Sequence, residues 1–298
     1  MSSSNSDPTE WQVAPAGFEI ANYDKPKIDY RRKVENFIKP ISLKSLRKKS
    51  FITIATNVLC ADIDTSKESI DPADRDIYLP LEIALTKWSL SEAKKLKADE
   101  RVFKSSVWMI NPGKPTRNSV CASRDQQAKH KITFDLEDPD QNPYITTDLN
   151  QVMKEINSTL LPDRTVFSLS LQHCRQDLGC LKWLNRATGY KTRPISVYSL
   201  EDLYVVLMRH IKPELKKTVG LGLAHFRMED CCDGYDTKLH CNYHEALAKE
   251  EDGDCKYCAL NLSISHTNLL LDDITSFTSL FNDQEKPETT DASTSTTG

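Results

Sequence analysis

The segment CNYHEALAKEEDGDCKYC, residues 241–258, concentrates thiol and imidazole side chains in a short stretch. Two residues separate Cys241 from His244 at one end, and Cys255 and Cys258 repeat that gap at the other. Such a gap lets both side chains of a pair approach one ion from a single turn, and Zn²⁺ prefers four such ligands in a tetrahedron. The spacing therefore predicts a metal site. The alternative is a set of reduced thiols in a polar surface loop.

Spacing alone selects Cys241, His244, Cys255 and Cys258 as a closed set of four ligands. A catalytic zinc keeps one position open for water or substrate, and four protein ligands leave none. The segment is therefore predicted to have a structural role. Cys231 and Cys232 are adjacent, a poor arrangement for binding one ion, and are interpreted as spare thiols beside the site.

The composition is that of a soluble globular protein, with 28% charged and 39% hydrophobic residues in a chain of 298. The start, MSSSNSDPTE, lacks the apolar core of a secretory signal. No run approaches the ~18 apolar residues of a membrane span. We therefore expect a reducing compartment, cytosol or nucleus, where clustered cysteine and histidine bind metal rather than form disulfides. The scattered cysteines are predicted to be small core residues: Cys60, Cys121, Cys174 and Cys180.

The chain is predicted to hold one large domain with polar ends. Residues 1–27 and 279–298 are rich in polar residues and are predicted to be disordered. Residues 28–50 form a basic lead-in with a helical pattern, and residues 51–278 form the domain. The formal net charge of -4 does not argue for nucleic acid, so any case for RNA binding must come from local basic clusters.

Hydrophobic patterning predicts three strands followed by alternating helices and strands. The strands of this meander are Phe51–Ala55, Leu79–Leu90 and Val102–Ile110. The later elements are a helix over 148–161, a strand over 166–171, a helix with Leu178, Leu181 and Leu184, a strand over 195–197, a helix capped by Ser199 and a helix over 259–271. This order is typical of an α/β domain of RNase H-like type, a mixed β-sheet flanked by helices.

Three blocks of sequence together resemble the Maelstrom (MAEL) domain family of the germline small-RNA (piRNA) pathway. The first is YLPLEIALTKW at residues 78–88, followed by INPGK at 110–114. The second is YSLEDL at 198–203, and the third is CNYHE at 241–245 with CAL at 258–260. Their order and spacing carry the resemblance, which spans roughly residues 50 to 276.

The resemblance implies an RNase H-like fold related to DnaQ-type exonucleases and a zinc ion held by Glu82, Cys241, His244 and Cys258. It differs from the spacing argument at one ligand, because Glu82 takes the place of Cys255. A glutamate inside an apolar strand should not be buried without a partner, and a metal would supply one. The alternative for Glu82 is a carboxylate at a strand edge, in water or paired with lysine.

The acidic residues of a two-metal DnaQ-type exonuclease are missing from the expected places. The first strand and the residues after it, FITIATN at 51–57, contain no carboxylate. Asp177 is the one candidate for a middle acid, and we interpret it as a surface residue. Two-metal exonuclease chemistry is therefore not expected. The family is associated with cleavage of single-stranded RNA without these acids. His173, Arg175 and Asp177 are candidate acid–base groups for that reaction, although a helix-start histidine in a polar turn is the favoured interpretation.

Basic residues cluster ahead of the first strand. We predict that RNA phosphates bind Arg31, Arg32, Lys33, Arg47, Lys48 and Lys49. Tyr30 and Phe37 would add stacking surface, and Arg47-Lys48-Lys49 also suits nuclear import. The alternative is an amphipathic helix that packs Val34, Phe37 and Ile38 on the domain, and both interpretations can hold together.

The leading hypothesis is a Maelstrom-like small-RNA pathway protein that binds single-stranded RNA, protein partners or both on a zinc-stabilised scaffold. The resemblance implies Piwi/Argonaute-class partners, no membrane association, and a location in cytoplasm, perinuclear germ granules and, as a further option, the nucleus. One alternative is a single-strand RNA endonuclease with an unconventional site. Another is a zinc-ribbon protein-interaction module using Cys255. We expect no HMG box of the kind many family members carry, since about 50 residues precede the first strand.

Overall fold

The structure is a computed structural model that describes residues 30–63, 76–94, 101–113, 126, 129–132, 142–160, 163–190, 194–230, 239–250 and 257–277. Several predictions concern residues outside these ranges. They include both predicted disordered ends and the cysteines Cys121, Cys231, Cys232 and Cys255.

Within these ranges the chain forms a mixed α/β domain. The strands are β1 (Ser50–Ile63), β2 (Asp76–Ser89), β3 (Lys104–Ile110), β4 (Ile145–Thr146), β5 (Thr165–Ser168) and β6 (Ser196–Ser199). The helices are α1 (residues 30–38), α2 (Leu43–Lys48), α3 (Leu149–Leu160), α4 (Leu171–Thr188), α5 (Leu200–Ile211), α6 (Leu221–Asp230), α7 (Asn242–Glu250) and α8 (Ala259–Phe277). In this described part, no helix combines the length and the apolar character that a membrane crossing requires.

The sheet has six strands in the order β4-β3-β2-β1-β5-β6. Strands β1, β2 and β3 form an antiparallel meander, and β5 and β6 run parallel to β1. Helix α4 connects β5 to β6 as the crossover that parallel neighbours need. The predicted fold class, a mixed sheet flanked by helices in the RNase H-like order, is confirmed.

The strand ends differ from the predicted ones where polar residues lie inside the sheet. Strand β1 continues well past Ala55, because Thr56 and Asn57 are buried and their side chains form hydrogen bonds with other elements. Strand β5 ends at Ser168 rather than at residue 171, because Ser170 is the residue from which α4 begins. A pattern of apolar residues alone cannot detect either feature.

Alternation along β2 divides its side chains between the two faces of the sheet. Ile83 and Leu85 pack in one apolar cluster with residues of α3 and α4. Glu82, Ala84 and Thr86 point to the opposite face, which α8 covers, as the contacts of Glu82 and Thr86 with α8 show. This parity directs Glu82 toward the beginning of α8.

Buried hydroxyl pairs connect α8 to the sheet. Thr53 on β1 lies 2.9 Å from Thr267, and Thr86 on β2 lies 2.7 Å from Ser263, oxygen to oxygen. The indole nitrogen of Trp88 donates to the Thr53 hydroxyl at 2.9 Å. Since buried polar groups must be paired, these contacts set the position of α8 along the strands.

Helix α1 packs on the same side of the sheet. Val34 and Ile38 are fully buried, and the Phe37 ring lies 6.4 Å from the ring of Phe167 on β5. Helix α2 begins at Ser42, whose hydroxyl accepts a hydrogen bond from the Ser45 N–H. The basic lead-in is thus packed on the domain through one face of α1.

Candidate metal centre

The start of α7 brings two candidate ligands together. Cys241 directly precedes the helix, and its carbonyl accepts a hydrogen bond from the Glu245 N–H at 2.9 Å. His244 lies three residues further on, so both side chains share one face of the first turn. The Cys241 Sγ lies 3.0 Å from the His244 Nδ1.

The third candidate ligand stands at the start of α8. Cys258 directly precedes that helix, and its carbonyl accepts from the Leu262 N–H at 3.0 Å. Its sulfur accepts a hydrogen bond from the Cys241 N–H at 3.3 Å. The first turns of two helices therefore meet at this pair of thiols.

Glu82 reaches the same point from β2. Its Oε1 lies 3.5 Å from the Cys258 Sγ and 3.7 Å from the His244 Nδ1. Its Oε2 accepts hydrogen bonds from the Ala259 N–H at 2.9 Å and from the Asn57 side-chain amide at 2.7 Å. A carboxylate at the first N–H of α8 is favourable, because the start of a helix carries partial positive charge.

An irregularity in β1 surrounds this glutamate. Asn57 is the register partner of Glu82, and the pairing shifts between Asn57 and Val58 and again before Cys60. Bulges re-aim side chains locally. The amide of Asn57 also donates to the Tyr257 carbonyl at 2.6 Å, which ties the approach to α8 to the same strand.

The four ligand atoms have the spacing of a single ion site. They all lie within 4.8 Å of one another, and all four side chains are buried: Glu82, Cys241, His244 and Cys258. Ligands about 2.0–2.3 Å from a tetrahedral centre stand about 3.3–3.8 Å apart, close to the distances from Glu82. Two thiols, one imidazole and one carboxylate are ligand types that zinc accepts. The residues present therefore fit a metal ion.

A second layer orients the histidine. The His244 Nε2 lies 3.1 Å from the carbonyl oxygen of His130. A backbone carbonyl accepts a hydrogen bond from the N–H group at Nε2. In that tautomer Nδ1, the atom facing the thiol, carries no proton and is available as a ligand. The Tyr243 hydroxyl donates to the Lys131 carbonyl at 2.8 Å, so residues 130–131 support α7 through two side chains.

Three acidic side chains and one imidazole share this buried site, and each changes the pKa values of the others. Burial and the neighbouring charge of Cys258 raise the pKa of Glu82 to about 7. The hydrogen bond with Cys241 lowers the pKa of Cys258, and the same bond and burial raise the pKa of Cys241. Burial opposes the charged form of His244, but its contacts with Cys258 and Glu82 raise its pKa overall. A divalent cation would neutralise this set.

The structure brings together the four residues that the resemblance implies: Glu82, Cys241, His244 and Cys258. Glu82 comes from a strand far away in sequence, where no local spacing rule applies. The competing ligand, Cys255, lies outside the described residues, so the ribbon arrangement stays an untested alternative.

The family described as Maelstrom, piRNA pathway germ-plasm component, matches residues 73–286, well over half of the chain. The protein belongs to the Maelstrom family. The match runs from β2 to beyond α8 and includes all four clustered residues. A comparison with curated proteins finds no match. The predicted family is confirmed, and with it membership in a piRNA-pathway family.

The interpretation of Asp177 as a surface residue is wrong for this Maelstrom protein. The side chain is 0% exposed. Its Oδ1 accepts from the Thr56 hydroxyl at 2.6 Å, and its Oδ2 accepts from the Ser168 hydroxyl. Burial raises its pKa to about 7, although both hydroxyls act in the opposite direction. Asp177 connects α4 to the parallel strands β1 and β5. The spacing of apolar residues in α4 does not indicate this contact.

The other candidate acid–base groups lie near the start of α4. His173 is half-buried in the first turn, and its Nδ1 lies 2.8 Å from the Ser170 hydroxyl. Arg175 is exposed. The Asp177 carboxylate accepts hydrogen bonds from the hydroxyl groups of Thr56 and Ser168. This arrangement suits a helix start more closely than a histidine–aspartate pair.

The predicted RNA-binding residues differ in their exposure to solvent and in their ion pairs. Arg32, Lys33 and Lys48 are exposed. The Arg31 Nε lies 3.5 Å from an Asp202 oxygen, and Arg47 is half-buried. Lys49 contacts Asp163 at 2.6 Å, and its amine stands 4.4 Å above the centre of the Phe37 ring. Three of the six predicted cations are thus exposed to solvent.

Proposed function

We propose that this Maelstrom protein binds single-stranded RNA on a scaffold closed by one zinc ion. Glu82, Cys241, His244 and Cys258 would hold the ion, and their convergence in one buried cluster is the observation that carries the zinc part of the proposal. The zinc would fasten α7 and α8 to β2. With four protein ligands, it leaves no position for substrate, so its role is structural.

The RNA surface would be the exposed side of α1 and α2. Arg32 and Lys33 on α1 and Lys48 on α2 present cations to solvent, while Val34 and Ile38 hold α1 on the domain. Cations held on an ordered surface bind phosphates without sequence preference. Tyr30, whose ring lies 5.5 Å from the Lys33 amine, adds an aromatic face beside them.

The cellular role follows from the family, which is described as a germ-plasm component of the piRNA pathway. We propose that the protein meets Piwi/Argonaute-class proteins there and works in germ cells, in cytoplasmic granules near the nucleus. RNA held on α1 and α2 would be presented to these partners.

The test compares RNA binding by charge-reversed variants of equal net charge. Reversing Arg32, Lys33 and Lys48 to glutamate should weaken binding of labelled single-stranded RNA more than about tenfold, since three phosphate contacts become repulsive. The matched control reverses three exposed lysines on other elements: Lys154, Lys182 and Lys216. Fluorescence anisotropy at a fixed salt concentration measures both.

Equal loss in the two triple variants would mean that total charge, not the α1–α2 surface, governs binding. An absence of binding by the wild-type chain would overturn the RNA proposal altogether. Zinc content, measured on the same samples by atomic absorption, should be one ion per chain in all three proteins. Retention of the zinc ion would also show that the variants fold.

A further inference from the structure

A small pocket opens at the end of the sheet where β1 begins and β2 ends. Its volume is about 180 Å³, and its walls come from α1, β1, β2, β5 and the turn before β5. Lys87, on its rim, lies five residues beyond Glu82, about 17 Å along an extended strand. The pocket is therefore separate from the candidate metal centre.

Positive charge gathers around this pocket. Lys49 and Lys87 line it, and Lys104 is the direct register partner of Lys87 on the neighbouring strand β3. Like charges placed directly opposite across two antiparallel strands destabilise a sheet. Asp163 is the one carboxylate among the described residues that line the pocket, and it contacts Lys49 at 2.6 Å. An anion from outside would relieve the repulsion between Lys87 and Lys104.

Aromatic side chains form part of the pocket lining. Phe51 and Phe167 are buried side chains, and Phe37 is half-buried with its ring turned toward the Lys49 amine. Pockets for drug-sized ligands range upward from about 300 Å³. This smaller space suits a single planar group, and an aromatic face next to lysine is how proteins hold an unpaired base and its phosphate.

We infer that this pocket is a nucleotide subsite for single-stranded RNA, with one base against Phe37 and its flanking phosphates at Lys49, Lys87 and Lys104. The inference builds on the proposed RNA binding and extends that surface from α2 onto the sheet. The exposed Lys48 stands directly before Lys49 in the chain and connects the two parts.

The ion pair between Lys49 and Asp163 supplies a sharp test, because the carboxylate competes with phosphate for the same amine. Asp163 lies at the surface with its side chain 45% exposed, so the change Asp163→Asn leaves the core untouched. Asp163→Asn should strengthen binding of a labelled oligouridylate about three- to tenfold, and Lys87→Ala should weaken it by a similar factor. Lys182→Ala, on the exposed side of α4, is the control and should have no effect.

Base recognition is measured with an abasic strand of the same length. The wild-type chain should prefer the oligouridylate to the abasic strand, and Phe37→Leu should reduce that preference while the phosphate contacts remain. Free uridine monophosphate should compete only at concentrations far above that of the oligomer, since it offers one phosphate. Competition at equal concentrations would identify a mononucleotide site and overturn the assignment to an RNA strand.

If the wild-type chain binds RNA but Lys87→Ala and Asp163→Asn behave like Lys182→Ala, this subsite is refuted and the α1–α2 surface stands. If the wild-type chain binds no RNA, the proposed function fails and the subsite fails with it. Opposite shifts in Asp163→Asn and Lys87→Ala, with a control that does not move, support the subsite.

Discussion

The Oε2 atom of Glu82 on β2 accepts a hydrogen bond from the backbone N–H of Ala259, the first residue of α8, at 2.9 Å. The other carboxylate oxygen of Glu82 faces the Cys258 thiol at 3.5 Å. One side chain thus caps α8 and offers a ligand to the proposed ion. Because α8 is held along β1 and β2 by buried hydroxyl pairs, the metal site is continuous with the packing of the whole domain.

The two roles of Glu82 can be separated by substitution. Glu82→Gln keeps an oxygen that can accept from Ala259 but loses the anionic ligand, whereas Glu82→Ala loses both. We expect neither variant to retain zinc. In the metal-free state Glu82→Gln should be the more stable by about 1 kcal/mol, the usual contribution of a helix cap. Zinc analysis and urea denaturation in the presence of a chelator measure the two effects.

The fourth ligand is decided by the same zinc measurement. Cys255→Ser should retain one zinc per chain, because the proposed set is complete without Cys255. Loss of zinc in Cys255→Ser together with full zinc in Glu82→Gln would establish a local zinc ribbon instead. That result would refute the ligand set of Glu82, Cys241, His244 and Cys258.

Metal removal should destabilise the whole domain rather than one loop. Cys258→Ser should lose zinc and several kcal/mol of stability, since the binding free energy of a structural zinc is part of the folding free energy. Treating the wild-type chain with a chelator should lower its melting temperature to a similar value, and the chelator should have no further effect on Cys258→Ser. Differential scanning fluorimetry measures both.

Cys60→Ser is the matched control for this experiment. Cys60 is buried in the same apolar cluster as Cys241 and Cys258, but it does not belong to the ligand group. Cys60→Ser therefore makes the same chemical change as Cys258→Ser without removing a ligand. It should keep its zinc and its sensitivity to the chelator. Equal zinc loss in Cys60→Ser and Cys258→Ser would show that general damage to the cluster, not ligation, was measured.

Asp177 should make the stability of the domain depend on pH. Burial raises its pKa to about 7 in the folded chain, above its ordinary value of 3.8. The folded state therefore binds the proton more tightly than the unfolded state does. The stabilisation that the protonated side chain provides is complete below about pH 4 and is lost as the pH rises through about 7. The loss should amount to roughly 4 kcal/mol, since the two pKa values differ by about three units and each unit corresponds to about 1.4 kcal/mol.

The variant Asp177→Asn isolates this contribution. Asparagine keeps an oxygen for the Thr56 hydroxyl and stays neutral, so its stability should not fall over this pH range through residue 177. Subtracting its unfolding free energy from that of the wild type at each pH cancels every other titrating group. A difference that stays constant from pH 4 to pH 8 would contradict the raised pKa.

Local patterning was sufficient for the framework of the fold. The alternation in β2 and the apolar spacing in α3 predict these elements nearly to their observed ends. The start of α5 was predicted from Ser199, whose hydroxyl accepts from the Asp202 N–H at 3.0 Å. Each of these signals depends on residues within about one turn or one strand of each other, which a sequence displays directly.

The site and the buried acid required information that local spacing does not contain. Spacing selects Cys255 because Cys255 and Cys258 repeat the two-residue gap between Cys241 and His244. Glu82 comes close to these residues only because β2 packs against α8. The sequence places Asp177 at the surface, because it is the single surviving candidate for the exonuclease acids. Its partners Thr56 and Ser168 become neighbours only when β1 and β5 pair in parallel.

Gly179 on α4 gives a last prediction about how that helix meets the sheet. A glycine inside a helix costs about 1 kcal/mol relative to alanine, so Gly179→Ala would stabilise an isolated helix. In the folded chain, however, an added Cβ would stand 2.3 Å from the Cδ2 atom of Tyr78 on β2. The clash is with the body of a ring, which cannot move aside freely. We therefore expect Gly179→Ala to destabilise the domain by about 1–3 kcal/mol, as overpacked cores do.

Two further variants show whether Tyr78 is the cause. Gly220→Ala adds a methyl group where no atom lies within 4 Å, and it should change the unfolding free energy by less than about 1 kcal/mol. In the double variant Tyr78→Leu with Gly179→Ala, the smaller side chain makes room, so the penalty for alanine should be lower than in the wild-type background. Urea denaturation of the four proteins in this cycle measures the coupling. Additive effects of the two substitutions would mean that Gly179 is required for some reason other than the approach of Tyr78.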